Sequence, residues 1–96
     1  MQNYHEPTSE LSDETRDYIR ALASLREEIE AIDWYQQRLC VTKDQQLKKI
    51  LKHNRDEEIE HACMALEWLR RNMEGWEKQM KMYLFTEVDV TKIEDE

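Results

Sequence analysis

The stretch LKKILKHNRDEEIEHACMALEW, residues 47–68, decides the fold. Counted in alternating steps of four and three it gives Leu47, Leu51, Asn54, Glu58, His61, Ala65 and Trp68, the stripe that one helix turns toward another. The stripe is apolar at its ends and polar in its middle. A carboxylate placed there against a partner helix costs several kcal/mol unless something compensates it, so the pattern predicts both a helical seam and a reason for its interruption. Glu58 and His61 are three residues apart and project from one helix face about one turn from each other, which makes them a Glu-x-x-His metal motif.

The preceding segment carries the same rhythm in Tyr18, Leu22, Leu25, Ile29, Ile32, Gln36 and Leu39, predicting a first long helix from about Asp13 to Val41. Ser12 reads as its N-cap, with Asp13 and Glu14 in the first turn, where the helix dipole favours negative charge. Thr42-Lys43-Asp44-Gln45 has the form of a capping box, with the Thr42 hydroxyl expected to hold the third helical amide and Gln45 to reach back. A connection this short folds two helices into an antiparallel hairpin. Helices of roughly 28 residues span about 42 Å. The second is expected to end between Asn72 and Gly75, and a short third helix from Trp76 to Tyr83 would use Met80, Met82 and Tyr83 for packing. Residues 1–11 are polar, contain Pro7 and read as a flexible lead-in; 12–86 form the helical domain; 87–96 read as an acidic, mobile tail.

Composition supports an all-α chain that shares its core. One Gly and one Pro in 96 residues argue against a sheet built on tight turns. Charged residues make up 38% and mean hydropathy is -0.96, too polar for one short chain to enclose a large core. Yet 40% of residues are hydrophobic, with three Trp and four Tyr, more than a disordered acidic tail carries. Both facts are met if the buried surface lies between subunits. A net charge of -8 disfavours nucleic acid and anionic membranes as partners and favours cations. Cys40 and Cys63 match no zinc pattern and read as reduced cytosolic thiols. No apolar run is long enough for a membrane span, and the start Met1-Gln2-Asn3-Tyr4-His5 is unlike a secretory signal.

Glu28 flanks the first seam at mid-length, so an antiparallel hairpin places it near Glu58 and His61, with Tyr35 two turns along the same side. Di-iron carboxylate bundles use one Glu from each of two helices and a Glu-x-x-His from each of two others. This chain has half of that set. A two-fold dimer would join two copies of Glu28, Glu58 and His61, and their four carboxylates would neutralise two Fe(II) ions. Carboxylates with one imidazole per ion suit iron or manganese, iron best, and the natural reaction is oxidation of Fe(II) by oxygen. Tyr35 reads either as a core aromatic or as a hydrogen-bond donor or electron relay. His5 and His53 read as surface histidines; Met64, Trp68 and Leu69 read as core.

The segments Glu27-Glu28-Ile29-Glu30-Ala31-Ile32-Asp33-Trp34-Tyr35-Gln36-Gln37-Arg38 and His53-Asn54-Arg55-Asp56-Glu57-Glu58-Ile59-Glu60-His61-Ala62 resemble the encapsulated ferritins, the two-helix ferritin-like proteins held inside encapsulin nanocompartments. Leu66-Glu67-Trp68-Leu69-Arg70-Arg71-Asn72 and Tyr83-Leu84-Phe85-Thr86-Glu87 continue the resemblance. It implies a ring-shaped decamer, a pentamer of dimers, with a ferroxidase centre at one class of interface. It also implies that Glu28, Glu58 and His61 are iron ligands, that Trp34 and Tyr35 are aromatics beside the site, and that Glu27 and Glu30 form a second metal-attracting position on the iron's route. On spacing alone those last two read as a solvated face. The implied partner is an encapsulin shell, which stores the mineral, and the implied location is a nanocompartment in the cytoplasm. Family members usually carry a C-terminal extension with a short Gly-containing, apolar shell-targeting peptide. This sequence closes at Thr91-Lys92-Ile93-Glu94-Asp95-Glu96 without one, so either the peptide has been removed or loading takes another route. Two other readings stand beside the ferroxidase: a non-catalytic helical assembly module in which Glu58 and His61 are a structural pair, and a metal buffer without redox turnover.

Overall fold

The computed structural model describes residues 4–93 and contains helices with no strand among them. A 3-10 turn at Thr8–Glu10 precedes α1 (Asp13–Val41), α2 (Gln45–Asn72) and α3 (Trp76–Tyr83). The expected helix limits therefore hold, and so does the Ser12 cap, whose hydroxyl accepts the Thr15 N–H at 3.0 Å. The outer parts of the expected lead-in and tail, residues 1–3 and 94–96, lie outside the described residues.

The cap of α2 departs from expectation. Thr42 closes α1: its amide and its hydroxyl both donate to the Arg38 carbonyl, at 3.0 and 2.6 Å. Asp44 opens α2, its carboxylate accepting the Leu47 N–H at 2.9 Å. A capping box needs Glu or Gln three residues after the cap, and three after Asp44 stands Leu47. Gln45 sits too early to reach back and donates instead to the Lys43 carbonyl at 3.3 Å.

α1 and α2 pack antiparallel around Leu25, Ala62 and Leu69, with Ala21, Leu22, Ile32, Ala65 and Leu66 against them. The inner face of α2 has turned relative to the expected seam, centring on Ala62 and Leu69 and away from Trp68, while Ala65 stays half-buried at its edge. A strict four-three count drifts by about 20° per heptad against a straight helix, and over the length of α2 that drift moves the seam by one residue. Ile29, Leu47 and Trp68, all on the expected seam, are exposed in the single chain. At the open end of the hairpin Trp68 meets Tyr18 edge-on, ring centroids 6.3 Å apart, and the Tyr18 hydroxyl donates to the Asn72 carbonyl at 3.0 Å.

Met73 and the positive φ of Gly75 (104°) turn the chain into α3. Trp76 then packs on the core, its indole N–H 3.3 Å from Met73 Sδ, and Arg70 bonds Glu77 at 2.8 Å. Met80 and Tyr83 are half-buried, whereas Met82 is exposed. The shape is open: the radius of gyration is 17.3 Å and the extents are 50 × 41 × 19 Å, where a compact chain of this length has a radius near 12–13 Å. Leu69 is the one large side chain described as fully buried. Such a hairpin has one well-covered layer and a second apolar surface left over.

Candidate metal centre

The hairpin brings Glu28 of α1 against Glu58 and His61 of α2. His61 Nδ1 lies 3.4 Å from Glu28 Oε2 and 3.6 Å from Glu58 Oε2, and one ligand atom from each residue lies within 4.8 Å of the others. These separations exceed ordinary hydrogen bonds. They suit a shared ion, because atoms bonded to one metal at about 2.0–2.2 Å stand roughly 3–4 Å from each other. The side chains are 24%, 25% and 42% exposed respectively for Glu28, Glu58 and His61, so the trio sits in a wall and its open side faces outward.

Like charge is concentrated here. A hydrogen bond shared with Glu58, then burial, then the Glu58 charge push the Glu28 carboxyl above its ordinary value, and His61 opposes the shift. Two carboxylates this close favour either a proton or a cation between them. Ile29 and Ile59, each next in sequence to one of the carboxylates, are exposed. Beyond them Ala21, Met64, Ala65 and Trp68 line a shallow groove of about 500 Å³.

The other candidate residues stand apart from the trio. Tyr35 is half-buried beneath the Arg38 guanidinium, which lies 5.3 Å from the ring centroid. Trp34 is exposed and borders an open groove of about 280 Å³ with Gln37 and Arg38. Glu27 and Glu30 are exposed on α1 and do not join the cluster. His53 pairs with Glu57 at 2.9 Å on the outer face, as a surface histidine does. Sequence reasoning passed over Arg55, which crosses the hairpin to bond Gln36 at 2.7 Å; its signal was its place three residues before Glu58.

A helical hairpin with a Glu-x-x-His on one helix and a Glu facing it from the other defines a ferritin-like protein. The family described as EncFtn-like matches residues 3–87. The chain is 61% identical over 93 residues to a ferritin-like protein of Thermotoga maritima, covering 97% of this chain and 82% of that protein. It is 53% identical over 90 residues to an encapsulated ferritin-like protein of Rhodospirillum rubrum, 94% of this chain against 64% of that one. The chain thus spans somewhat under two thirds of the Rhodospirillum protein. In three dimensions it is similar to the crystal structure of protein ne0167 from Nitrosomonas europaea, with a TM-score of 0.88, 58% identity, and coverage of 93% of this chain and 98% of that one. The chain belongs to the EncFtn-like family, the encapsulated ferritins. Among the described residues no helix is long and apolar enough to cross a membrane.

Proposed function

We propose that this chain is a ferroxidase, oxidising Fe(II) to Fe(III) at a di-iron centre formed between two subunits and delivering iron for mineral storage inside an encapsulin nanocompartment. The observation that carries the reading is the convergence of Glu28, Glu58 and His61 from two helices on one outward-facing spot. Iron is the substrate. Each subunit supplies two carboxylates and one imidazole, half of the ligand set of a di-iron bundle, and a two-fold axis across the open side completes it. Four carboxylates then balance two Fe(II) ions. Two such ions lose one electron each to dioxygen, which takes up two protons and leaves as hydrogen peroxide.

Exposed Ile29, Ile59, Met64 and Trp68 give the second subunit an apolar surface to cover, in keeping with a homo-oligomer and, by the family resemblance, a ring-shaped decamer of five dimers. In this reading Glu27 and Glu30 attract iron on its way in. Tyr35, flanked by Trp34, donates a hydrogen bond to a ligand or relays an electron. The shell partner is an encapsulin, and the compartment lies in the cytoplasm. Neither nucleic acid nor membrane is a partner.

The test adds Fe(II) in air to the protein and to Glu28→Ala, Glu58→Ala and His61→Ala variants, following ferric absorbance. All three variants are expected to be slow. Variants as fast as wild type refute the ferroxidase and favour a non-catalytic assembly module; binding of Fe(II) with no faster oxidation than in buffer favours a metal-buffering module.

A further inference from the structure

We infer that Asp56 and Gln36 hold the Arg55 guanidinium off Glu58 and so keep that carboxylate free for a divalent cation. The inference rests on the reading of Glu58 as an iron ligand. Arg55 precedes Glu58 by three residues, the spacing at which side chains on a helix become neighbours. Arginine binds carboxylates more strongly than most partners, commonly through two nitrogens at once. On this same helix Glu67 and Arg70, also three apart, close to 2.6 Å. The charges at 55 and 58 run in the opposite order, for which the backward tilt of helix side chains lengthens the reach, but Lys52 and Asp56, in that same order four apart, still come within 3.8 Å. Left alone, a guanidinium there competes with the metal for the oxygens of Glu58.

In the structure it is engaged elsewhere at every nitrogen. Nε and Nη2 donate to Asp56 Oδ1 at 3.2 and 2.8 Å, and Nη1 crosses the hairpin to Gln36 Oε1 at 2.7 Å. The side chain is 22% exposed, so it is held in the cleft between the helices. Asp56 Oδ1 accepts both of these bonds and supplies the counter-charge to the guanidinium. Gln36 is neutral and accepts, which lets it fix the far end of the guanidinium without adding another anion beside the site. Glu58 is left facing His61. Asp56 and Gln36 are therefore positioning residues: they act through Arg55 and touch no metal.

The test uses Co(II), which binds carboxylate and imidazole without being oxidised under these conditions, titrated by calorimetry and by its visible absorption. Wild type binds, and His61→Ala loses the site. Asp56→Asn is expected to bind about tenfold more weakly, the effect of one competing charge pair at a partly exposed site; Gln36→Leu shifts in the same direction. The double variant Arg55→Gln/Asp56→Asn is expected to return to within about threefold of wild type, with circular dichroism showing that helicity is unchanged throughout. The rescue also separates Arg55 from Lys52, which loses the same partner in Asp56→Asn but lies six residues from Glu58 and off its face. Wild-type affinity in Asp56→Asn, or weak binding that Arg55→Gln does not restore, overturns the inference while leaving the site intact. Co(II) binding that survives His61→Ala overturns the site itself.

Discussion

His61 Nδ1 stands 3.4 Å from Glu28 Oε2 across the hairpin, so the candidate metal centre is a tertiary contact rather than a property of either helix. Helix packing holds Glu28 and Glu58 together against their repulsion. Removing one of the charges is expected to help the empty protein and harm the loaded one. Glu28→Gln should raise the Tm of the metal-free protein and abolish the rise that Co(II) gives wild type, since a ligand stabilises only the state that binds it. Thermal melts with and without metal at fixed protein concentration check this; a Co(II)-dependent rise retained in the variant counts against Glu28 as a ligand.

The proposed assembly would bury the exposed apolar side chains beside the site. Ile29 is 54% exposed next to Glu28, and a charge there would sit in the expected interface. Ile29→Glu should leave helicity intact, shift size-exclusion profiles to smaller species and slow Fe(II) oxidation in parallel. Co(II) should move wild type toward larger species if half-sites must pair. Full oxidation by a monomeric Ile29→Glu variant would show that one chain suffices.

The linker caps give a prediction about stability alone. Asp44 holds the free Leu47 amide in the first turn of α2, so Asp44→Ala should cost about 1 kcal/mol, within the usual range for losing an N-cap. Gln45→Ala, whose side chain bonds only the exposed Lys43 carbonyl, should cost about 0.5 kcal/mol or less. Urea denaturation distinguishes them, and equal losses would restore the capping-box reading.

Acid should act through Glu67. Arg70 first and Arg71 second hold its carboxyl down to about 2 from an ordinary 4.5. A depressed folded-state pKa stabilises the protein above the unfolded value and ceases to do so as pH falls through the folded value. The Tm difference between wild type and Glu67→Gln should therefore be steady above about pH 4.5 and fade toward about pH 2. Because the group is partly exposed, the difference should also shrink with added salt. A difference independent of pH would mean that packing, not charge, is what Glu67 supplies.

Helix limits were legible because punctuation is local: Ser12 before two acids, a three-residue linker, and Gly75 before Trp76 mark breaks that no distant contact overrides. The trio was legible because a polar interruption in an apolar stripe is conspicuous at the i, i+3 spacing of Glu58 and His61. The rotation of α2 toward Ala62 and Leu69 was not, since a seam shared among several helices has two apolar flanks and the sequence does not say which flank its own partner covers. Thr42 was misassigned for a similar reason: a hydroxyl at a helix junction can serve either neighbour. The tie from Arg55 to Gln36 depends on how two helices align across a separation of nineteen positions, and no short window contains both.

That tie stands in line with Glu28 to His61 in the middle of the hairpin and Tyr18 to Asn72 at the open end. Each joins α1 to α2, and together they fix the helices like teeth on two racks. One residue inserted into either helix rotates everything beyond it by about 100°, so the teeth past that point miss together. Substitution can alter this protein one contact at a time. A change of length inside α1 past Tyr18 or inside α2 before Asn72 cannot, and inherited length variation should collect in the linker and at the two ends of the chain.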